Sequence, residues 1–263
     1  MPENIITVRN LSKHFGEIKA VDGISFSVKK GEIFAFLGPN GAGKSTTIKI
    51  LTTLLHPTKG KVILNGFDPS TDSENARKSF GIIFQDPSLD DDLTAYENMD
   101  FHGILYQVKK ELRKERIEQL MKITELWERR NDLVKTFSGG MKRRLEIARG
   151  LLHHPKILFL DEPTIGLDPQ TRNHIWGYIK ELNKKEGITV FFTTHYMEEA
   201  QRVADRIAVI DYGKIVAEGT ANTLKKQTKS KSLEDAFIKL TGHQIRAQEA
   251  ESFTAMAKMR MRR

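Results

Sequence analysis

The 263-residue sequence contains no cysteine. This absence excludes disulfide bonds, thiol nucleophiles and cysteine-ligated zinc. The sequence also has no apolar run near the roughly 18 residues that a membrane-spanning helix needs. Hydrophobic residues nevertheless make up 39% of the chain, which is enough for a substantial core. The two absences therefore indicate a globular chain without covalent cross-links.

The chain begins with Met1–Asn4, which lacks the basic and then apolar layout of a secretory signal, so we expect it to stay in the cytoplasm. Lysine and arginine number 42 against 34 acidic residues, and the net charge is +8. A nucleic acid, ATP and an anionic membrane surface would each explain this excess. Charge alone does not distinguish among these partners.

A glycine-rich loop stands between a predicted strand and a predicted helix. The strand is the apolar run Ile33–Leu37, and the helix is expected to end by Pro57, because proline cannot continue it. The string between them has the pattern G-x-x-x-x-G-K-[ST], which in this setting predicts a phosphate-binding loop. The residues of the loop are Gly38, Pro39, Asn40, Gly41, Ala42, Gly43, Lys44, Ser45 and Thr46.

The chemistry of this loop suits a nucleoside triphosphate. Its glycines let successive backbone N–H groups turn inward around an anion, and the helix N-terminus adds its free N–H groups. We expect Lys44 to reach the β- and γ-phosphates and the Ser45 hydroxyl to ligate Mg²⁺. The alternative is a glycine-rich turn that binds nothing.

A pair of acidic residues ends the apolar strand Ile157–Leu160. A carboxylate at the tip of a buried strand is costly unless it meets a cation. Asp161 is therefore predicted to hold Mg²⁺ through water, and Glu162 to polarise the water that attacks the phosphate. Two acids that simply begin a loop are the alternative interpretation.

Two less specific features complete the set of polar candidates. Ser138, Gly139 and Gly140 stand directly before a predicted helix, where they would bind an anion or simply cap the helix. His195 follows the strand Thr189–Phe192, a place where a histidine is usually structural.

The N-terminal part of the chain alternates in the manner of strands. Ile5–Val8 and Ile24–Val28 are predicted strands, and Phe15 between them would either stack on an adenine ring or join the core. Phe80–Phe84 is a further strand, and Gln85 stands at its end.

Residues from about 88 to 150 predict a helical insert in an α/β core. Thr94 and Glu97 form a capping box for a helix that runs to about Val108. A charged helix over 110–123 follows. Its apolar face is predicted to comprise Leu112, Ile117, Leu120 and Met121.

The C-terminal half adds a helix opened by Asp168, with proline at its first turn, and a last hairpin around Tyr212 and Gly213. One short helix near 233–240 precedes a basic tail that contains methionines. The tail is either solvated or held against an anionic membrane face or a partner's loops.

These elements, in this order, resemble the nucleotide-binding subunit of an ABC transporter over about residues 5–225. The resemblance makes Gly38–Thr46 the Walker A loop and Phe137–Met141 the signature. Phe137 and Met141 stand where many relatives have leucine and glutamine. The Ser-Gly-Gly-Met form and the segment Ser232–Gly242 are similar to the branch that serves ABC-2 type exporters, including drug-resistance ATPases. The other matches are Gln85 in the Q-loop, Asp161 and Glu162 in Walker B, Asp168 in the D-loop and His195 as the switch histidine.

The resemblance implies an α/β fold with a P-loop NTPase core, a mainly parallel sheet, an antiparallel β subdomain and an inserted helical subdomain. It divides the chain into a nucleotide-binding domain over 1–225, with the helical subdomain at about 88–150, and a C-terminal helical segment with a basic tail over 226–263.

The resemblance also implies ATP hydrolysis with Mg²⁺ by a head-to-tail dimer, expected to be a homodimer, in which each signature covers the partner's ATP. An integral-membrane permease at the cytoplasmic face of the cell membrane is the implied partner. The implied catalytic residues are Lys44, Gln85, Glu162 and His195. The implied metal ligands are Ser45, Gln85 and Asp161. The implied nucleotide contacts are Phe15, Gly38–Thr46, Ser138, Gly139, Gly140 and Asp168.

The main alternative is a soluble ABC ATPase that acts on nucleic acid or ribosomes. Such translation factors carry two cassettes, whereas this sequence has one Walker A loop. Chromosome-type relatives need long coiled-coil arms, and only 93 positions (138 − 45) separate Ser138 from Ser45. No nucleic-acid partner is therefore expected. A non-hydrolytic binding module is disfavoured because Glu162 is intact.

Overall fold

The computed structural model of the chain describes residues 3–242. The predicted basic tail lies beyond Gly242 and therefore outside the described residues. Nine strands and nine α-helices form within the described range. The strands are β1 (Asn4–Phe15), β2 (Ile18–Lys29), β3 (Ile33–Leu37), β4 (Lys59–Leu64), β5 (Phe80–Ile83), β6 (Ile157–Asp161), β7 (Thr189–Thr194), β8 (Arg206–Asp211) and β9 (Lys214–Gly219).

All of the helices follow β3 in the chain. They are α1 (Lys44–Leu51), α2 (Ser73–Lys78), α3 (Ala95–Leu105), α4 (Lys110–Ile123), α5 (Gly139–Gly150), α6 (Pro169–Glu186), α7 (Met197–Val203), α8 (Ala221–Gln227) and α9 (Leu233–Thr241), with 3₁₀ turns at Trp127–Arg129 and Val134–Thr136. None of the helices over residues 3–242 combines the length and apolar character that crossing a bilayer requires.

The central sheet has six strands in the order β5-β6-β7-β3-β8-β9. All neighbouring pairs are parallel except β8 and β9, which form the predicted hairpin. The parallel arrangement brings the carboxyl ends of β3, β6 and β7 to one edge, where ligands bind in open α/β sheets. The predicted α/β class with a mainly parallel core is confirmed.

A separate antiparallel sheet has the order β2-β1-β4. β1 and β2 each span 12 residues, much longer than the segments Ile5–Val8 and Ile24–Val28 that alternation predicted. Several register shifts interrupt the pairing of β1 and β2, so the strands continue through residues whose pattern no longer alternates. β1 thereby extends as far as Phe15.

Two apolar clusters lie on opposite faces of the central sheet. In β3, Phe34 and Phe36 face the antiparallel sheet and α1, whereas Ile33, Ala35 and Leu37 face most of the other helices. This arrangement explains why the strand is apolar at every position instead of alternating. The phosphate loop therefore leaves a strand that is buried on both sides.

Helices α3 to α5 lie in the chain between β5 and β6. The capping box of Thr94 and Glu97 forms at the start of α3, which ends at Leu105, somewhat before the predicted Val108. The prediction that Leu112 belongs to the buried face of α4 is wrong, because its side chain is 44% exposed. The first turn of α4 packs through Arg113, which donates to Asp100 at 2.6 Å.

The short helices α2, α7 and α8 were not predicted. Each has six or seven residues, which is less than two full turns, so no apolar periodicity develops. α9 was predicted, and its residues Leu233 and Phe237 lie in the same apolar cluster as β8.

Two half-buried histidines and a tyrosine stack where α3 meets the segment after α5. The rings of Tyr106 and His153 lie 3.9 Å apart, and those of His102 and Tyr106 lie 4.7 Å apart. The Nε2 atom of His153 lies 3.0 Å from the Phe80 carbonyl, which can only accept, so Nε2–H donates. Burial lowers the pKa of His102 to about 3, and burial lowers that of His153 to about 4.

We expect this cluster to make the fold sensitive to acid. Both histidines are neutral in the folded state, whereas in the unfolded chain they bind protons below their ordinary value of 6.5. The contribution of the two histidines to the free energy of unfolding is therefore fully present above about pH 6.5. It falls as the pH drops towards 4, by roughly 2 kcal/mol per histidine at pH 5. Urea unfolding between pH 7.5 and 4.5 measures this slope.

The matched comparison for the acid effect is His102→Phe against His174→Gln. Phenylalanine keeps the stacking but cannot bind a proton, so the slope should become shallower. His174 is exposed on α6, and its replacement should leave the slope unchanged. An equal slope in the wild type and His102→Phe would contradict the assignment.

Candidate nucleotide site

The predicted phosphate loop connects the end of β3 to the start of α1, as the pattern required. At two positions of the loop, close packing leaves no room for a side chain, so glycine is needed there. A Cβ atom at Gly38 would lie 2.4 Å from the Ile210 carbonyl, and one at Gly43 would lie 2.4 Å from the Ala20 carbonyl. Gly43 also has φ of 105°, in the left-handed region, at the residue that precedes α1. The loop is therefore closely packed against β2 and β8 as well as tightly turned.

Lys44, the first residue of α1, is buried and bends back over the loop. Its Nζ donates to the carbonyls of Gly38 at 2.8 Å and Pro39 at 3.1 Å. The same Nζ lies 3.1 Å from Oε1 of Glu162. The ammonium group is thus shared between the loop's own carbonyls and a carboxylate at the end of β6.

Ser45 and Asp161 also come together. The Ser45 hydroxyl donates to Oδ1 of Asp161 at 3.2 Å. The same carboxylate oxygen accepts a hydrogen bond of 2.6 Å from the hydroxyl of Thr193 on β7. Two oxygen-bearing groups from β6 and α1 therefore lie side by side at the edge of the sheet.

Thr193 is a residue of this site that the sequence analysis missed. Its hydroxyl oxygen also accepts from the backbone N–H of Glu162 at 3.0 Å, so one side chain orients both acidic residues. Asp161 and Thr193 are direct partners in the parallel register of β6 and β7. Only knowledge of the strand order could have indicated this pairing.

Glu162 is 7% exposed and has φ of 47°, which is unusual for a residue with a side chain. Its Oε2 lies 2.9 Å from Nδ1 of His195. Burial raises the pKa of Glu162, but the hydrogen bond from His195 and the charge of Lys44 together outweigh burial and lower it. The carboxylate is therefore held ionised between two positively charged or hydrogen-donating groups.

The structure does not bring all predicted residues to this group. Gln85 is exposed in the loop after β5, and Phe15 is 47% exposed at the end of β1, beneath the ammonium of Lys13. Ser138 and Asp168 cap α5 and α6, where their side chains accept from Met141 N–H and Thr171 N–H. Over residues 3–242, none of these four side chains forms a hydrogen bond or ion pair with the group around Lys44 and Glu162.

The two helix starts nevertheless lie together. A Cβ atom at Gly140 would approach Cγ2 of Thr171 to 2.6 Å, so the beginnings of α5 and α6 are in close contact. Ser138, Gly139 and Asp168 are exposed there. This places the predicted signature and D-loop residues on one exposed surface, separate from the group around Lys44.

A lysine in a glycine loop between strand and helix, with an aspartate and a glutamate at the end of a neighbouring parallel strand, defines a P-loop nucleoside triphosphatase. Residues 21–165 match the family described as ABC transporter. The chain belongs to the ABC transporter family and is an ATPase of the ATP-binding subunit type.

Curated relatives support this placement. The Linearmycin resistance ATP-binding protein LnrL of Bacillus subtilis is 44% identical over 84% of this chain and 70% of its own length. The Daunorubicin/doxorubicin resistance ATP-binding protein DrrA of Streptomyces peucetius is 42% identical over 95% and 74%. The Nod factor export ATP-binding protein I of Burkholderia lata is 41% identical over 85% and 73%. These relatives confirm the predicted branch and do not support the nucleic-acid alternative.

Solved structures agree with the fold. An ATP-binding subunit of an ABC transporter superposes with a TM-score of 0.81 at 29% identity, over 90% of this chain and 99% of that chain. A dimeric ATP-binding cassette in a post-hydrolysis state with ADP and Pi superposes with a TM-score of 0.73 at 31% identity, over 82% and 98%.

Proposed function

We propose that ATP binds at the phosphate loop with Mg²⁺ and that its hydrolysis drives export through a separate integral-membrane permease. The observation that carries the catalytic part is the continuous contact from Lys44 through Glu162 to His195, beside the pair of Ser45 and Asp161. The grouping supports the proposal, because it brings a lysine ammonium, two carboxylates and a hydroxyl to one edge of the sheet.

Lys44 is the residue proposed to bind the β- and γ-phosphates. All three of its donors are engaged, by two carbonyls and by Glu162. Phosphate oxygens are stronger acceptors for an ammonium group than peptide carbonyls. When Lys44 turns to them, Glu162 loses one of the charges that lower its pKa and becomes a better base.

Glu162 is proposed as the general base of hydrolysis. Its carboxylate takes a proton from water as the water oxygen bonds to the γ-phosphorus and the bond to the β,γ-bridging oxygen breaks. ADP leaves with that oxygen, and inorganic phosphate is the second product. His195, through its contact with Oε2, holds the carboxylate in one orientation.

The oxygen atoms of Ser45 and Asp161 fit Mg²⁺, because this ion prefers hydroxyl and carboxylate oxygens and uses few protein ligands beside phosphates. When bound, Mg²⁺ would neutralise charge on the β- and γ-phosphates. Gln85 is proposed as a further ligand and catalytic residue, which requires its exposed side chain to turn towards this edge.

Residues away from the central group are proposed to complete the site. Phe15 would stack on the adenine ring of ATP through its exposed face. The exposed Ser138, Gly139 and Asp168, with the half-buried Gly140, would contact the ATP of a second copy in a head-to-tail homodimer. Support comes from the exposed, N–H-rich start of α5 and from the dimeric cassette that superposes on this chain.

The export partner is proposed from two observations. The relatives are named for antibiotic resistance or export. In addition, α3 exposes Phe101, Ile104 and Leu105, which share one helical face and suit contact with another protein. The proposed location is the cytoplasmic face of the cell membrane, where the permease would hold the chain.

This part of the proposal predicts that Phe101→Glu weakens recovery of the chain with membranes by about tenfold or more, as expected when a central aromatic contact is lost. Washed vesicles from the source cells, after nuclease treatment, are the binding partner, and sedimentation is the measurement. Val216→Glu, on the exposed side of β9, is the matched control and should sediment as the wild type does. Nuclease-sensitive binding, or equal recovery of Phe101→Glu and wild type, would contradict the proposal.

A further inference from the structure

Side chains of α5 hold the loop that carries Gln85. The loop, residues 84–88, follows β5 and has no regular secondary structure. The guanidinium of Arg143 donates to the Phe84 carbonyl at 2.6 Å and to the Gln85 carbonyl at 2.9 Å. We call residues 84–88 the Gln85 loop. Its first two carbonyls are thus fixed by one arginine.

The end of the Gln85 loop is held by the same helix. Oε1 of Glu146 accepts the Ser88 N–H at 2.8 Å, and Arg149 donates to the Ser88 carbonyl at 2.7 Å and to its hydroxyl. Arg143 and Glu146 also pair with each other at 3.0 Å. Apart from the contacts with the Ser88 hydroxyl, the bonds to Phe84, Gln85 and Ser88 reach backbone atoms, so they determine the path of the loop.

The pair of Arg143 and Glu146 is deeply buried, with 6% and 2% of the side chains exposed. Burial lowers the pKa of Arg143, and burial raises that of Glu146 against the opposing charge of Arg143. A buried ion pair is often no more stabilising than an apolar pair of the same size. Stability therefore gives little reason for a charged pair at this place, whereas the contacts with the loop give one.

Strand β5 also touches the far end of α5. A Cβ atom at Gly81 would lie 2.1 Å from the Gly150 carbonyl, so strand and helix backbones are in direct contact there. Gly150 and Arg143 are seven residues apart, which is about 10 Å along a helix. Two separate contacts thus join α5 to β5 and to the loop that follows it.

The N-terminus of α5 carries Ser138, only five residues before Arg143. We propose that Arg143 and Glu146 are positioning residues for ATP hydrolysis, which join the Gln85 loop to the helix that Ser138 caps. Movement at either end of α5 is then transmitted to the Gln85 backbone. This inference rests on the proposed function, in which Gln85 contacts ATP in its own chain and Ser138 contacts ATP in the partner copy.

The test is Arg143→Gln in the full chain. We expect kcat for ATP to fall by about tenfold or more while KM stays within about twofold, because the phosphate loop is intact and only the placement of the reacting groups is lost. Arg143→Lys, which keeps the charge and one donor nitrogen of the two that reach the loop, should recover part of kcat. Glu146→Gln, which keeps an acceptor for Ser88 N–H, should lose less activity than Arg143→Gln.

Hydrogen exchange provides a readout that a purely structural role would not change. In the Glu162→Gln background, ATP should protect the Gln85 loop and the first turn of α5 together. With Arg143→Gln added, ATP should still protect the phosphate loop but no longer the Gln85 loop.

The matched control is Arg116→Gln. Arg116 is another buried arginine that pairs with a glutamate, Glu186, but it has no contact with the Gln85 loop. The substitution should lower the melting temperature without changing kcat beyond about twofold, since the contacts of Arg116 are remote from the reacting groups.

Equal losses of kcat in Arg143→Gln and Arg116→Gln would overturn the inference, as would unchanged kcat and exchange in Arg143→Gln. A wild-type chain without ATPase activity would instead overturn the proposed function. If Arg143→Gln does not fold, the same comparison is made with Arg143→Lys.

Discussion

Replacing Glu162 by glutamine should leave ATP binding intact and lower the rate of hydrolysis by about 10²–10⁴-fold, the range that a general base contributes. The amide has the size of the carboxylate and can remain beside His195, but it cannot take up the proton of the attacking water. Steady-state phosphate release and titration with a fluorescent ATP analogue measure the two quantities separately.

Binding of ATP to Glu162→Gln should be at least as tight as to the wild type. The wild-type carboxylate lies 3.1 Å from Nζ of Lys44 and therefore competes with phosphate oxygens for that ammonium group. The neutral amide of glutamine competes less strongly for the ammonium group of Lys44. Glu198→Gln, an exposed change of the same type on α7, should retain wild-type hydrolysis.

Because ATP persists in Glu162→Gln, it should also hold two chains together. Light scattering with ATP and Mg²⁺ should show a dimer, and Ser138→Arg should disrupt it, because the exposed start of α5 would then carry a bulky side chain. A monomer at high concentration would contradict the proposed homodimer. Hydrolysis by Glu162→Gln within about tenfold of the wild-type rate would contradict the assigned base.

Lys44→Ala should lower ATP hydrolysis by a factor of hundreds or more, equivalent to about 3–4 kcal/mol of transition-state stabilisation. The substitution removes the one ammonium group that lies inside the phosphate loop and meets Glu162. Charge that develops on the transferred phosphoryl group then has no compensating cation from this helix.

The control for this change is Lys49→Ala. Lys49 lies in the last turn of the same helix and is exposed, so its loss removes an equal charge from α1 without altering the loop. Circular dichroism should show that both variants are folded. Turnover by Lys44→Ala above about a tenth of the wild-type rate would contradict the proposed role of Lys44.

Most of the grouping around Lys44 was predictable because its components are local. A strand, a glycine turn and a helix form within residues 33–51, so the pattern itself indicates where Lys44 and Ser45 point. Asp161 and Glu162 were predictable for a related reason, because acids at the end of a buried strand lie at the carboxyl edge of a parallel sheet.

Residues that act through neighbouring elements could not be predicted in this way. Thr193 orients Asp161 and Glu162 only because β6 and β7 are adjacent and in register. Arg143 and Glu146 stand in a charged run of the kind that usually faces solvent, yet they are buried because α5 packs against β5 and the Gln85 loop. Leu112 shows the opposite error, since an apolar residue at helical spacing remained exposed.

The sequence by itself therefore determined the α/β class, the phosphate loop, the acids at the end of β6 and the family. Each of these depends on residue order over short distances, where backbone preference and chemistry act together. The tertiary structure alone decided which side chains meet: Lys44 with Glu162, Glu162 with His195, and Arg143 with the Gln85 loop. Such contacts join residues 33 to 118 positions apart. They depend on the order of the strands and the packing of the helices, which together minimise the free energy of the whole chain. No single segment of the sequence therefore indicates them.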